Sequence, residues 1–275
     1  MMQLDGKTAL ITGSTDGVGR VVARKLGEAG ARILVHGRDQ DRGQRVVEEI
    51  RQSGGTAEFL AADLASLAEV RRLADTVRRR TDRLDILINN AGIGTAGTTR
   101  QTSADRHELR LAVNYLAGFL LTRLLLPLIE QSAPARIVDV ASAGQQALDF
   151  DDIMLTHGFS GRRAYCQSKL AQIMFTIDLA DELAGSGVLV NALHPATYMN
   201  TSMVRRAGVT PMSSVEEGAD AILSLAAAPS LGDRTGRYFS GLREARADSQ
   251  AYDAEARRRL NAISLELTGL ATPYR

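Results

Sequence analysis

A single cysteine, Cys166, in a chain of 275 residues leaves no partner for an internal disulfide. That suits a reducing compartment and predicts a cytoplasmic protein held together by packing. An excess of one charge is also lacking. Against 33 Lys and Arg stand 32 Asp and Glu, a net charge of +1. Neither nucleic acid nor an anionic membrane is therefore expected as the main partner. The arginines alternate with acids, as in Arg71-Arg72 to Asp75 and Asp253 to Arg259, the pattern of solvated helix faces. Long hydrophobic runs are missing as well. The most apolar stretch, Leu116–Ile129, is interrupted by Arg123 and Pro127 and is too short to span a bilayer. Residues 1–7 are polar, so neither a leader peptide nor a membrane anchor is expected. Repeats, low-complexity tracts and linkers are absent from the sequence, which predicts one domain over 1–275. Hydrophobic residues at 44% and charged residues at 24% are ordinary for a soluble globular protein with a sizeable core.

What the chain does contain is a regular alternation. Thr8–Thr12 predicts a short buried strand, followed by Gly13-Ser14-Thr15-Asp16-Gly17-Val18-Gly19 and a helical run from Val21 to Leu26. A strand, a glycine-rich turn and a helix make an anion site, because the backbone can approach a phosphate and the helix N-terminus aims N–H groups at it. The glycine spacing is not that of the G-x-G-x-x-G fingerprint. A second strand, Arg32–His36, ends at Gly37-Arg38. A carboxylate at that point holds ribose hydroxyls, whereas the planar fork of Arg38 suits a 2′-phosphate. NADP is thus expected over NAD, the alternative being a surface arginine beside a strand. Further strands are predicted at Ala57–Ala61, Leu84–Ile88, Arg136–Val140 and Val188–Leu193, with helices at 42–51, 67–80 and 103–127 between them. This order argues for an open parallel sheet with helices on both faces.

After the fifth strand comes Tyr165-Cys166-Gln167-Ser168-Lys169, followed by apolar residues at helical spacing up to Leu183. If a helix begins before Tyr165, the phenol and the ammonium group lie one turn apart on one face. An ammonium group so placed lowers the phenol pKa, and the pair can exchange a proton with a substrate oxygen. A tyrosine and a lysine on a solvated helix face is the competing explanation. Tyr198, Met199, Met203, Val204 and Met212 fall in a segment, 196–215, expected to be a substrate lid for an apolar ligand; a simple packed short helix is the other reading. His157 and His194 are lone histidines without a metal constellation, so no metal is expected.

Read together, these pieces resemble the short-chain dehydrogenase/reductase family. The matching residues are Thr12-Gly13-(three residues)-Gly17-Val18-Gly19, Asp63-Leu64, Asn89-Asn90-Ala91-Gly92, Asn114, Ser142, Tyr165-(three residues)-Lys169 and His194-Pro195, in the family's order and over almost the whole chain. The run Ala164 to Ala171, the long gap between Ser142 and Tyr165 and the tail from Ala256 to Leu270 resemble the retinol-dehydrogenase-like branch. The resemblance implies an α/β fold: a Rossmann-type doubly wound parallel sheet in three layers, with a cofactor half at about 1–135 and a catalytic half at about 136–275. It implies an NADP(H)-dependent oxidoreductase that moves a hydride between nicotinamide and a carbonyl or alcohol, expected to be lipophilic. A nucleotide-binding regulator of the same fold is the alternative. Ser142 would polarise the substrate carbonyl, Tyr165 would exchange the proton, and Lys169 would lower the Tyr165 pKa and hold the nicotinamide ribose. Asn114 would support a proton relay. Gly13 to Gly19 would surround the pyrophosphate and adenosine ribose, Arg38 would take the 2′-phosphate, and Asp63 and Leu64 the adenine. Asn90, Ala91 and Gly92 would line the crevice, with Pro195 and Thr197 at the nicotinamide. The insert before Tyr165, with Asp149, Phe150, Asp151 and Asp152, would shape the substrate mouth or cover a surface used elsewhere for tetramers, so a homo-oligomer is left open.

Overall fold

The computed structural model describes residues 3–271, and in it the alternating apolar runs become strands and helices in chain order. Residues 1–2 and 272–275, the two ends of the expected domain, lie outside the described residues. Strands β1 (Thr8–Ile11), β2 (Arg32–Gly37), β3 (Thr56–Ala61), β4 (Ile86–Asn89), β5 (Ala135–Val140) and β6 (Val188–His194) match the six predicted ones within two residues at each end. Two more, β7 (Arg237–Ser240) and β8 (Arg243–Ala245), were not foreseen. They join the sheet in the order β3-β2-β1-β4-β5-β6-β7-β8. All pairings are parallel except β7 with β8. The doubly wound parallel sheet expected from the sequence is present, with one antiparallel strand added at its edge. Gly241 and Leu242 turn the chain too tightly for a crossover, so β8 must run antiparallel.

Helices α1 (Gly17–Glu28), α2 (Gln40–Gln52) and α7 (Val215–Ala226) cover one face, and α3 (Leu67–Arg80), α4 (Ala117–Gln131), α5 (Gly161–Glu182) and α8 (Ala254–Thr268) the other. The pleat decides which side chains go where. On β1, Ala9 and Ile11 enter the α1/α2/α7 core, while Leu10 enters the opposite one. The strand order reverses between β1 and β4, and their carboxyl ends therefore splay apart into a crevice, the usual ligand site of such sheets.

The helix expected at 103–127 is shifted. Its first residues form a turn in which Ser103 Oγ accepts from the N–H groups of Asp105 and His107, and Arg106 has φ +65°. A serine of this kind competes with helical bonding and favours the turn. A π-helical turn, Leu111–Leu116, then leads into α4. At the other end the helix passes through Pro127, which lies on its exposed side, and stops at Gln131. The apolar helix Leu111–Gln131 is consequently 21 residues long, with mean hydropathy 1.6, more than the sequence reading allowed. It has the length and composition to cross a membrane, yet 72% of the apolar window is buried within the protein. Here it is a core helix, with the Phe119 ring 5.0 Å from that of Phe175 on α5.

Candidate active site

The glycine turn after β1 lies directly beside the Asn89-Asn90-Ala91-Gly92 turn after β4, because β1 and β4 are neighbours with Ile11 opposite Ile88. Thr12 Oγ1 accepts from the Asn90 and Ala91 N–H groups at 2.9 and 3.0 Å. Asn90 Nδ2 donates back to the carbonyls of Thr12 and Gly13 at 2.8 and 3.1 Å. The two turns are therefore one rigid wall. Close approach explains two glycines. At Gly13, φ is +65° and an added Cβ would lie 2.9 Å from Ala91 Cα. At Gly19 it would lie 2.5 Å from both Asn90 Nδ2 and the Gly13 carbonyl. The bare backbone and the α1 N-terminus fit the phosphates of a dinucleotide.

The flanking side chains are more divided than their sequence suggests. Ser14 is buried and its hydroxyl donates to the Ile11 carbonyl at 2.8 Å. Val18 belongs to the core. Thr15 packs at Gly37, where a Cβ would stand 2.5 Å from Thr15 Cγ2. Asp16 caps α1, accepting from Gly17 N at 2.7 Å, and takes the Ser202 hydroxyl at 2.7 Å. That second bond is the first of several that hold its carboxyl below the usual range. Of Ser14, Val18 and Leu64, which is also in the core, only the backbone remains to face a cofactor. The sequence reading missed His36. The Gly13 N–H donates to its Nδ1 at 3.1 Å, and burial pushes its pKa down to about 4, so the ring is neutral and accepts.

Arg38 follows β2 and Asp63 follows β3, and the in-register pairing of Gly37 with Ala61 brings them together. Their charged groups stand 3.9 Å apart at the exposed end of the crevice. Asp63 also accepts from the Ala65 N–H at 3.0 Å.

Ser142, Tyr165 and Lys169 converge at the same carboxyl edge. Ser142 follows β5; Tyr165 and Lys169 lie on α5, whose N-cap Ser160 starts the helix five residues before Tyr165. A Cβ added at Gly144 would be 3.5 Å from Ser142 Oγ and 3.7 Å from Tyr165 Cε1, so the serine and the phenol share one small space. A Cβ added at Gly92 would be 3.3 Å from Asn114 Oδ1 and 3.6 Å from Lys169 Nζ, which joins the lysine to the β4 turn. Asn114 sits in the π-helical turn. Its amide accepts from Ile93 N at 2.8 Å and donates to Ile93 O at 3.2 Å and to Ser168 Oγ at 2.9 Å. It thus has a defined task in mid-helix.

The charges differ from the sequence expectation. Lys169 was expected to lower the Tyr165 pKa, yet the phenol stands above its ordinary value, raised chiefly by burial while the Ser142 hydroxyl pulls it down. The lysine is engaged elsewhere. Its Nζ is 5.8 Å from the Tyr165 ring centre and donates to Val140 O at 2.7 Å and Gln172 Oε1 at 2.8 Å. Burial lowers its own pKa to about 7, against the pull of Asp139, so its charge is only partial at neutral pH.

Tyr238, on the unforeseen β7, donates to the Ser142 carbonyl at 3.0 Å. The signal was present: Arg237-Tyr238-Phe239-Ser240 is a short aromatic run between Gly236 and Gly241. Pro195 and Thr197 follow β6 at this edge, with Thr197 Oγ1 3.1 Å from His194 Nε2. The 196–215 segment is mostly loop with one short helix, α6 (Ser202–Arg206). It docks on the glycine turn through Asp16 and Ser202, and Met203 packs at Gly94. Tyr198, with φ +45°, is exposed beside the cleft, and its phenol acts on that of Tyr165. The insert before α5 is tied down by Asp149 to Arg163 at 2.8 Å and Asp151 to Arg259 at 2.9 Å. Through Arg259 it clips onto α8, which covers α5.

Residues 7–210 match the family described as short chain dehydrogenase. Retinol dehydrogenase 13 of Homo sapiens is 37% identical over 290 residues, covering 98% of this chain and 87% of that protein. Among solved structures, an uncharacterised protein from Mycobacterium paratuberculosis has a TM-score of 0.80 at 28% identity, covering 100% of this chain and 97% of that one. The Pseudomonas aeruginosa RhlG/NADP active-site complex has a TM-score of 0.72 at 30% identity, covering 86% of this chain and 95% of that one. A glycine-lined turn beside a converging serine, tyrosine and lysine thus coincides with sequence likeness over nearly the full length, and the chain belongs to the short chain dehydrogenase family, in its retinol-dehydrogenase-like branch, as a nicotinamide-dependent oxidoreductase acting on alcohol and carbonyl groups.

Proposed function

We propose that this protein is an NADP(H)-dependent reductase of lipophilic ketones or aldehydes, with Ser142, Tyr165, Lys169 and Asn114 as its catalytic residues. The observation that carries this reading is the convergence of Ser142 Oγ, the Tyr165 phenol and Lys169 Nζ beside the glycine cradle. When bound, the nicotinamide group supplies or accepts the hydride. Ser142 donates a hydrogen bond to the substrate oxygen and orients it, with Tyr238 fixing the serine backbone. Tyr165 gives that oxygen its proton in reduction and takes it in oxidation. Lys169, when protonated, favours the phenolate and holds the nicotinamide ribose. Asn114 carries the proton route onward past Gly92.

The chain acts as one domain, with a cofactor half at about 1–135 and a catalytic half at about 136–275 under the 196–215 lid; the continuous sheet supports this. The lipophilic substrate class is supported by the exposed side chains of Tyr198, whose phenol acts on that of Tyr165, and Met203, which packs at Gly94. Burial of Cys166 supports a cytoplasmic location, and α8 with the insert over α5 argues for a homo-oligomer built, if at all, on another face.

NADP preference rests on Arg38, which follows β2 with an exposed side chain and pairs with Asp63 only at 3.9 Å. The test is NADPH oxidation, followed by absorbance, with aromatic, polyketide-like and steroid-like ketones, and NADH in parallel. Arg38→Ala is expected to raise KM for NADPH about tenfold to a hundredfold, the worth of a charge-assisted hydrogen bond of about 1.5–3 kcal/mol, and to change KM for NADH less than about twofold. Equal use of both cofactors by the unaltered enzyme would remove the NADP assignment.

A further inference from the structure

The buried polar groups behind Lys169 form a tier that the catalytic reading leaves unused. On α5, Lys169, Gln172 and Thr176 lie at i, i+3 and i+7, along one helix face. Thr176 Oγ1 donates to Asp139 Oδ2 at 2.7 Å. Asn89 Nδ2 donates to Asp139 Oδ1 at 2.9 Å and to Thr122 Oγ1 at 3.0 Å. Both carboxyl oxygens of Asp139 therefore accept, and although burial raises its pKa to about 6, the carboxylate is ionised at neutral pH and above. Asn89 Oδ1 has no partner among the described residues, so its amide is turned with both hydrogens outward to serve Asp139 and Thr122. Asp139 is 2% exposed and Lys169 is 4% exposed. An ion taken that far from water is costly unless an opposite charge accompanies it.

The groups that face the lysine from its surroundings are few. From α5 comes the Tyr165 phenol, 5.8 Å away at its ring centre, and the neutral amide of Gln172. The π-helical turn brings the Asn114 amide, which meets Lys169 Nζ around Gly92. The Tyr115 phenol lies beyond Asp139 and is kept protonated by burial. β5 brings the Asp139 carboxylate, one residue before Val140, whose carbonyl accepts from Lys169 Nζ at 2.7 Å. Among the described residues, Asp139 is the charged group that acts on Lys169, and Lys169 the one that acts on Asp139.

We propose that Asp139 is a positioning residue: its carboxylate, held by Thr176 and Asn89, is the counter-ion that keeps the Lys169 ammonium charged and seated at the cofactor edge. This rests on the reading of Lys169 as the group that holds the nicotinamide ribose. Burial disfavours the lysine's charge and the carboxylate favours it, so removing the carboxylate makes Lys169 lose its proton at lower pH. Any cofactor affinity that needs the ammonium then fades earlier as pH rises.

The experiment measures Kd for NADPH by fluorescence in the wild type, Asp139→Asn and Lys169→Gln between about pH 5.5 and about pH 8.5, and takes the variant-to-wild-type ratio at each pH. The ratio cancels titration of the cofactor's own phosphate. For Asp139→Asn it is expected to be within about twofold at pH 5.5 and to reach about tenfold near pH 7.5, with the alkaline loss of binding moved about one pH unit lower. A ratio that stays constant with pH, whether at one or at a uniform loss, would overturn the proposal. Should the asparagine variant not fold, Thr176→Val carries the test: it removes one donor from the carboxylate, and the same pH-dependent loss, smaller in size, is expected. Lys169→Gln separates the two levels. If it binds and turns over like the wild type, the reading of Lys169 fails; if it is impaired while Asp139→Asn is not, only the counter-ion role fails.

Discussion

Tyr165→Phe is expected to lower kcat for ketone reduction by about 10²–10⁴-fold, the usual worth of a positioned general acid, while Kd for NADPH moves by less than about twofold. The ring keeps its place, because α5 fixes it beside Gly144 and the phenylalanine ring has the same outline. What disappears is the proton donor. Ser142 can orient the substrate oxygen, but Tyr238 and Gln145 only hold its carbonyl and bring no acid to the cleft. The phenol's raised pKa gives the sign of the pH dependence: it stays protonated through neutral pH, so reduction should persist there and oxidation, which needs the phenolate, should gain with rising pH. Stopped-flow or steady-state absorbance of NADPH, beside a fluorescence titration, measures both quantities. Wild-type turnover in the variant would mean that the proton comes from elsewhere.

Gly19→Ala is expected to weaken dinucleotide binding by about a hundredfold, on the scale that follows a misplacement of about 1 Å. The added methyl would start 2.5 Å from the Gly13 carbonyl and 2.5 Å from Asn90 Nδ2. The carbonyl is backbone and cannot swing away. Asn90 can move only by giving up its bonds to Thr12 and Gly13, which weld the β1 and β4 turns into one wall. The α1 N-terminus must then shift away from the phosphate position. Overpacking of this kind also costs about 1–3 kcal/mol of stability. Calorimetry with NADPH and a denaturant curve separate the two effects: cofactor affinity should fall far more than stability. An alanine variant that binds NADPH like the wild type would show that this close approach has no part in the cradle.

Much of this protein could be read along the chain. The six parallel strands, the glycine turn, the asparagine-rich turn after β4 and the Tyr165–Lys169 helix are local patterns, set by φ freedom and by the repeat of apolar residues. Because β-α units in a parallel sheet place every strand's carboxyl end on one edge, finding those motifs at strand ends also located the crevice. Less legible was anything fixed by contact between distant segments. β7 and β8 are too short to show a period. The helix expected from 103 begins later because Ser103 prefers its own turn.

Charge was where sequence and structure parted. From spacing alone, Lys169 one turn beyond Tyr165 implied an acidic phenol, since in water a neighbouring cation decides the matter. Inside the protein, loss of solvent acts on both groups, raising the phenol and drawing the lysine down to about 7. Which carboxylate then stands behind the lysine depends on β5 bringing Asp139 under Thr176, thirty-seven positions further on. The family and the central parallel sheet follow from the chain's local patterns, because each is a short run with its own backbone requirement. Tertiary structure alone decided the protonation of Tyr165 and Lys169, because burial and distant partners are properties of the packed fold.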